Sequence, residues 1–326
     1  MPARLTAPEA RSASRRTGAG RAPIARWIRA ELRRHPPRAK SLVVTVWGDA
    51  IAPHGGAVWL GSLIRLLAPL GLNERLVRTS VYRLAQEGWI EAKQAGRRSL
   101  YRLTAAGQQH FEHAYRRIYA PPPGDWDGTW EIVLARQAAL GSAERERLKR
   151  ELGWEGFGAL PSGLFMRPAH AHDVGNVGEI LRALGVVQRV VVLRAREAPA
   201  LEARSLPEYA QDGWDLGRVA ADYRGFLRRF GGVAQHFDAP AADPEQAFVV
   251  RTLLIHAFRR MMLHDPQLPS EIAPRDWPAT RAYALCRELY RRLQRPAEAY
   301  LAAACENGHG ALPAPASYFY RRFGGI

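Results

Sequence analysis

The stretch from Leu70 to Leu103 constrains the possible fold more than any other part of the chain. Asn73 is a favourable helix N-cap and Gly88 a favourable helix stop, so the spacing predicts one helix between them. Beyond the helix, Trp89–Ala92 and Ser99–Leu103 alternate in polarity like two paired strands. The stretch therefore predicts a helix that is followed directly by a β-hairpin.

The predicted helix has two different faces. Val77, Val81 and Leu84 recur at helical spacing and form an apolar stripe that would pack inward. The opposite face carries side chains of the kinds that contact bases and phosphates, namely Arg75, Arg78, Thr79, Tyr82 and Gln86. Outward arginines are also common on an ordinary solvated helix, so the helix alone leaves both interpretations open.

The neighbouring segments favour nucleic-acid binding. Ala57–Leu70 predicts a mostly apolar helix, joined to the amphipathic helix by the short turn Gly71-Leu72. Ser41–Ile51 fits a supporting helix, although its β-branched run also fits a strand. Arg97 and Arg98 stand at the tip of the hairpin. Two helices joined by a tight turn and followed by a basic hairpin are typical of a winged helix-turn-helix.

The charge of the whole chain also indicates an anionic partner. The 326 residues carry a formal net charge of +16, so nucleic acid is the first expected partner and an anionic membrane the second. Wholesale use of arginine in a soluble basic protein would explain part of this charge. No apolar run approaches the roughly 20 residues of a membrane span, and Cys286 and Cys305 are too isolated for a disulfide framework. We therefore expect a cytoplasmic, nucleoid-associated protein with no membrane partner.

Composition shifts divide the chain into the segments of an α+β multidomain protein. The proline run at 121–123 is the clearest break between them. The predicted segments are a disordered basic tail (1–22), a winged helix-turn-helix domain with an N-terminal helix (23–120), a Pro-rich linker (121–125), a ferredoxin-like domain (126–200), a helical C-terminal domain (201–312) and a tail (313–326).

The middle segment alternates strands and helices in the order βαββαβ, which is that of the ferredoxin-like unit. The predicted strands are Trp130–Ala135, Gly156–Leu160, Gly163–Arg167 and Gln188–Leu193, and the predicted helices are Ser142–Leu152 and Val174–Leu184. The strand at Gln188–Leu193 is apolar enough to be predicted as buried. Farther along, the last long helix is predicted at Thr280–Leu293.

The sequence shows no recognisable enzymatic motif. Ser162 precedes Gly163, but Leu160 stands where a nucleophile elbow requires its first glycine. Gly153–Gly158 is glycine-rich without the strand–loop–helix order of a dinucleotide site. The irregular segment His170–Asp173 is more typical of plain surface than of a metal site. We therefore predict no catalytic residue, no metal site and no cofactor.

Two long segments resemble one protein family. Ser41–Thr104, which contains the predicted helix and hairpin, closely resembles the N-terminal domain of the PaaX family of bacterial transcriptional repressors. Val250–Leu293 is similar to the C-terminal domain of that family, and the resemblance runs from about residue 39 to residue 300. It implies a dimeric repressor of a phenylacetate catabolism operon, built from a winged helix, a middle domain similar to Cas2 proteins and a helical C-terminal domain. It also implies release from double-stranded operator DNA by phenylacetyl-coenzyme A or a related acyl-CoA.

Carried over by position, the resemblance makes Asn73–Gly88 the recognition helix. The predicted DNA contacts are Arg75, Arg78, Thr79 and Tyr82 in the groove, Arg83 and Lys93 on phosphates, and Arg97 and Arg98 at the wing tip. An acyl-CoA effector needs basic groups for its phosphates and an apolar slot for its acyl part. The candidates for that site are Arg251, His256, Arg259, Arg260, Arg287, Tyr290 and Arg291. Taken singly, each arginine is more typical of the solvated face of a bundle helix.

The likeness to Cas2 proteins raises an alternative, a metal-dependent nuclease that a winged helix delivers to its substrate. Active members present an acidic metal ligand at the first strand, whereas the strand predicted here ends in Ala135 and Arg136. This departure argues against an enzyme. A third possibility is a winged helix that binds protein, and such binding would be insensitive to salt.

Overall fold

The computed structural model describes residues 23–122, 124–136, 140–169, 176–198, 205–236 and 243–326. The basic segment 1–22 and the segment His170–Asp173 lie outside the described residues. The described chain forms two compact units. The first unit contains the chain up to Ala120, Phe226–Arg259 and Tyr283–Ile326, and the second contains Pro121–Gly225 and Arg260–Ala282.

The N-terminal half of the first unit is a set of helices around a small sheet. Its elements are α1 (23–34), α2 (Ala39–Val46), β1 (Ala57–Trp59), α3 (Leu60–Leu67), α4 (Glu74–Gln86), β2 (Ile90–Ala95), β3 (Arg98–Leu103) and α5 (Ala105–Tyr119). The segment Ser41–Ile51, which the sequence left open between helix and strand, is helical: α2 runs into a π-helical turn at Trp47–Ile51.

The three strands form one antiparallel sheet in the order β1-β3-β2. Val58 pairs with Tyr101, and Ile90 pairs with Leu103, so the hairpin is tied to the strand that precedes α3. The helix α2 packs against α4, and Leu42, Val43 and Val46 of α2 are fully buried. This packing fixes which face of α4 remains outside.

Three further helices contribute residues to both units: α9 (Leu216–Phe230), α10 (Pro244–Met262) and α11 (Ala279–Ala304). The last of these was predicted too short, because the sequence interpretation ended it at Leu293. Helix α11 continues through Pro296 for more than two further turns. Buried contacts of Ala297 and Leu301 on the far side of the proline offset the backbone hydrogen bond that proline cannot make.

The segment 313–326, predicted as a tail, is packed into the first unit. A short hairpin of β8 (Glu306–Asn307) and β9 (Gly310–Ala311) precedes it, and tight helical turns at Ser317–Gly324 follow. Phe319, Arg322 and Phe323 are almost completely buried there. The glycine- and proline-rich composition suggested a loose end, but two aromatic side chains and one arginine anchor it.

The second unit is a four-stranded antiparallel sheet with helices. Its elements are β4 (Trp130–Ala135), α6 (Ser142–Trp154), β5 (Gly158–Leu160), β6 (Leu164–Pro168), α7 (Asn176–Ala183), β7 (Val190–Ala195) and α8 (Leu206–Gln211). The strand order β5-β6-β4-β7 and the chain order βαββαβ confirm the predicted ferredoxin-like arrangement. One core is formed where Leu148 and Leu152 of α6 meet Val133 and Phe165 of the sheet.

The prediction of a buried strand at Gln188–Leu193 is wrong. Strand β7 lies at an edge of the sheet and pairs with β4, as far as the described residues show. Val191 is 56% exposed and Val192 is 44% exposed. A run of β-branched residues indicates a strand, but it cannot tell a central position from an edge.

Candidate nucleic-acid interface

Helix α4 begins and ends where the sequence predicts. The Asn73 side chain accepts a hydrogen bond from the backbone N–H of Leu76 at 2.9 Å, which caps the helix. Gly71 and Gly88 adopt left-handed backbone conformations on either side of the helix, which glycine tolerates without strain. The short turn that joins α3 to α4 therefore contains Gly71, and Gly88 follows the end of α4.

The two faces of α4 are separated as predicted. The side chains of Val77, Val81 and Leu84 are at most 1% exposed. Every predicted contact residue on the other face is exposed, and these residues are Arg75, Arg78, Thr79, Tyr82 and Arg83. Tyr82 is 63% exposed, although its side chain is large and aromatic.

Arg78 has one neighbour of opposite charge on its own helix. Its guanidinium Nε lies 2.7 Å from Glu74 Oε1 one turn earlier. Both side chains are more than half exposed, so the ion pair contributes little to stability and can be exchanged for another anion. Arg78 can therefore leave Glu74 and contact another anion.

The hairpin presents its basic residues at a tight tip. Ala95 pairs with Arg98, so Gly96 and Arg97 alone form the turn, and Gly96 has the positive φ of 59° that a tight turn favours. Lys93, Arg97 and Arg98 are all exposed. The Arg98 guanidinium stacks 4.2 Å from the centre of the Trp59 ring and lies 3.4 Å from Glu306 Oε2.

The helix and the hairpin tip share one cleft. Its volume is about 310 Å³, and it is lined by Trp59, Leu60, Gly61, Ser62, Arg65, Arg78, Arg97, Arg98 and Ser99. Three arginines predicted as DNA contacts therefore meet at one place. The fourth arginine, Arg65, was missed by the sequence interpretation because α3 reads as an apolar helix. The available signal was a single cation within that apolar run.

The seven effector candidates are divided between the two units. Arg260 belongs to the second unit, and the other six belong to the first. Arg291 is exposed and Arg287 is half-buried. A site for an acyl-CoA, which requires paired basic and apolar surfaces, therefore stays a prediction for these residues.

Two of these candidates take part in a buried ionic network instead. Arg251 is completely buried, and its Nη1 lies 2.6 Å from Glu298 Oε1 while its Nε lies 3.1 Å from Asp49 Oδ2. The hydroxyl of Tyr290 donates to Asp49 Oδ1 at 2.9 Å, and burial raises the pKa of this hydroxyl. Arg251 is therefore not on a solvated helix face.

Two more candidates contact α2. His256 Nδ1 lies 2.9 Å from Thr45 Oγ1, and Arg259 Nη1 donates to the same hydroxyl at 3.3 Å. Thr45 is itself buried in the helix that packs against α4. His256 and Arg259 thus link α10 to α2, the helix that packs against α4.

The described residues also bear on metal binding and on membrane insertion. None of them form a group of three or more histidine, cysteine, aspartate or glutamate side chains that could hold a metal ion. Glu131 on β4 is buried, and its carboxylate accepts hydrogen bonds from Arg167 at 2.7 and 3.0 Å. In the same described ranges, no helix combines the length and the apolar character that crossing a membrane requires.

The geometry defines a multidomain α+β protein that exposes an arginine-bearing helix beside a basic hairpin. The chain matches three family models: PaaX-like protein over residues 38–107, the PaaX protein central Cas2-like domain over residues 123–207, and the PaaX-like protein C-terminal domain over residues 214–303. The chain belongs to the PaaX-like family.

Similar proteins include a bacterial repressor and a protein of known structure. The Transcriptional repressor PaaX of Escherichia coli is 36% identical over 293 residues, which cover 89% of this chain and 92% of that protein. Among solved structures, the uncharacterized protein Rv0674 from Mycobacterium tuberculosis is 24% identical, with a TM-score of 0.46 and coverage of 79% of this chain and 98% of that chain.

Proposed function

We propose that this protein is a transcriptional repressor that binds double-stranded operator DNA through a winged helix-turn-helix. In this proposal α4 is the recognition helix and the β2–β3 hairpin is the wing. The observation that carries the proposal is that Arg78 of α4 and Arg97 and Arg98 of the hairpin line the same exposed cleft. A relative that is 36% identical and named a transcriptional repressor, not an enzyme, supports the same function.

The proposed contacts divide into two kinds. Arg75, Arg78, Thr79 and Tyr82 would reach base edges in the major groove, where arginine reads guanine bidentately. The phosphate contacts would come from Arg83, Lys93, Arg97 and Arg98, which orient the protein without reading the sequence. As a homodimer, the protein would place two such helices about one helical turn apart, or a multiple of it, on a pseudo-palindromic site.

The proposed signal for release is an aryl-acyl-CoA, with phenylacetyl-CoA as the first compound to test and a phenylacetate catabolic operon as the regulated target. Release of this kind is a population shift, so the effector must bind the DNA-incompetent state more tightly than the competent state. Arg259, Arg260, Arg287 and Arg291 keep some exposure and stay candidates for the CoA phosphates. Arg251 is better suited to its buried ion pairs.

Selection of genomic DNA fragments by the purified full-length protein tests the repressor function. A single enriched site that the protein protects from nuclease would support it, and enrichment without any common site would contradict it. Titrating the protected complex with phenylacetyl-CoA, CoA and phenylacetate then tests the effector. Phenylacetyl-CoA is expected to release the protein from DNA, and CoA and phenylacetate are expected to have no effect.

The alternative, a Cas2-like nuclease delivered by a winged helix, is not favoured. The carboxylate of Glu131 on the first strand of the central sheet is already bonded to Arg167, and it is buried. Incubation of the protein with DNA or RNA and divalent cations separates the two functions. Intact strands are expected, and cleavage that scales with protein concentration would revive the nuclease.

A further inference from the structure

The basic cleft is built from more than the predicted recognition helix and wing. The first turn of α3, Leu60–Ser62, also lines it, and no side chain caps the start of that helix. The backbone N–H groups at an uncapped helix start attract anions. Arg65 lines the cleft from the next turn of the same helix.

Arg65 is held in place by neutral partners. Its Nη2 donates to Ser62 Oγ at 3.1 Å and to the carbonyl oxygen of Ala304 at 3.2 Å. Ser62 Oγ in turn accepts a hydrogen bond from the backbone N–H of Glu306 at 3.2 Å. Neutral partners orient a guanidinium without cancelling its charge, so Arg65 is positioned and still cationic.

The cleft carries an excess of positive charge. In the described part of the chain, Arg65 and Arg97 have no carboxylate partner, whereas Arg78 pairs with Glu74 and Arg98 pairs with Glu306. In both pairs the arginine and the glutamate side chains are each more than half exposed. Exposed pairs of this kind are weak, and an incoming anion can replace the carboxylate.

We propose that this cleft binds one phosphodiester group of the DNA backbone, and that Arg65 and the start of α3 add their contacts to those of the recognition helix and wing. The assignment rests on the proposed DNA-binding function. The cleft suits a phosphodiester better than a CoA, because Trp59 and Leu60 are its apolar lining and the Trp59 ring is covered by the Arg98 guanidinium. An acyl group would find no apolar slot there.

The assignment gives the C-terminal part of the chain a direct link to DNA binding. The end of α11 at Ala304 orients Arg65, and Glu306 just beyond it competes with phosphate for Arg98. Bound phosphate therefore displaces the Glu306 carboxylate from Arg98 and keeps the Arg65 contacts. Movement of the end of α11 would open or misalign the cleft.

Arg65→Gln tests the assignment, because glutamine keeps a hydrogen-bonding group on a shorter side chain but loses the charge. The matched control is Arg295→Gln, which removes an exposed arginine of α11 that does not line the cleft. Binding to a mixed-sequence 24-base-pair duplex is measured by fluorescence anisotropy at several salt concentrations. The logarithm of the binding constant falls linearly with the logarithm of the salt concentration. Each lost phosphate contact makes this slope shallower by about 0.9.

The expected result is a slope reduced by about 0.9 for Arg65→Gln and unchanged for Arg295→Gln. Arg65→Lys, which keeps the charge and serves as the second variant, should retain the wild-type slope. A wild-type slope in Arg65→Gln would overturn the phosphate assignment while leaving DNA binding intact. If wild-type protein showed no salt-dependent binding at all, the proposed function itself would fail. Loss of CoA binding in Arg65→Gln with an unchanged DNA slope would likewise overturn the assignment in favour of a small-molecule site.

Discussion

Arg322 and Asp49 form a buried ion pair that joins the C-terminal segment of the first unit to the turn after α2. Arg322 Nη1 lies 2.9 Å from Asp49 Oδ1 and donates to the Asp49 carbonyl oxygen at 3.0 Å. The hydroxyls of Tyr119 and Tyr290 donate to the same carboxylate oxygen at 2.7 and 2.9 Å. Asp49 lies in the π-helical turn that follows α2, and α2 packs against α4. The C-terminal segment therefore stabilises the position of α2 behind α4.

Replacing Arg322 should destabilise the first unit strongly. Arg322→Ala would leave the Asp49 carboxylate buried with fewer partners, and breaking a buried pair from one side costs about 3–5 kcal/mol. The free energy of unfolding from urea titration measures the loss. Arg321→Ala is the matched control, because this neighbouring arginine is exposed and its loss should change stability by less than about 0.5 kcal/mol. Equal effects of the two substitutions would contradict the buried role of Arg322.

The stability of the fold should depend on the ionisation of Glu298. Burial raises the pKa of this carboxyl, but the charge of Arg251 and hydrogen bonds from His54 and Arg251 outweigh it and bring the pKa to about 2, from an ordinary 4.5. A pKa lower in the folded than in the unfolded chain stabilises the fold above pH 4.5. That contribution, roughly 3 kcal/mol at about 1.4 kcal/mol per pH unit, is lost as the pH falls toward 2.

Glu298→Gln should remove this pH dependence. The difference in unfolding free energy between wild type and variant, measured by urea titration, should be largest near pH 7 and should shrink steadily below pH 4.5. A difference that stays constant with pH would show that the carboxylate charge of Glu298 contributes nothing to stability.

Gly107 should not tolerate a side chain. A Cβ at this position of α5 would lie 1.9 Å from the carbonyl oxygen of Trp89, at the base of the hairpin, so the backbone would have to move. Gly107→Ala should therefore destabilise the fold by about 1–3 kcal/mol. Gly153→Ala in α6 meets open space and should stabilise by up to about 1 kcal/mol through helix propensity. Thermal unfolding measures both variants, and the midpoint should fall for Gly107→Ala and rise for Gly153→Ala. An unchanged midpoint for Gly107→Ala would contradict the close approach of α5 to the hairpin.

Arg78 should contribute to sequence discrimination. If it reads a base, Arg78→Ala should weaken binding to the selected operator by about 1–3 kcal/mol and weaken binding to random duplex less. Anisotropy titrations on both duplexes measure the two losses. Equal losses on both would mean that Arg78 contacts only phosphate.

Signals within a few residues of each other predicted the exposed helix α4. Contacts between residues far apart in the sequence could not be predicted. Asn73, Gly88 and the apolar stripe of α4 act within a few residues, so the helix and its outer face could be derived from spacing. The Arg322–Asp49 pair joins residues 273 positions apart, and no local pattern marks it. Asp49 was visible as one carboxylate in an apolar run, yet its partner could not be inferred.

The same limit explains the errors at the edges of the fold. The valine run of β7 predicted a strand correctly, but strand order decides whether it is central or lateral. Arg65 was overlooked because its function depends on the hairpin tip and the end of α11, both distant in sequence. Arg251 resembled any helix-face arginine until Asp49 and Glu298 surrounded it.

The central claim is that the outer face of α4 and the hairpin tip contact double-stranded DNA. The most direct measurement compares duplex binding, by anisotropy over a range of salt, between two variants of equal charge. One is Arg75→Ala with Arg97→Ala, and the other is Arg147→Ala with Arg150→Ala on the exposed surface of α6. The account predicts a loss of about ten- to a hundredfold and a shallower salt dependence for the first variant only. Equal losses in both variants, or no loss in the first, would contradict it.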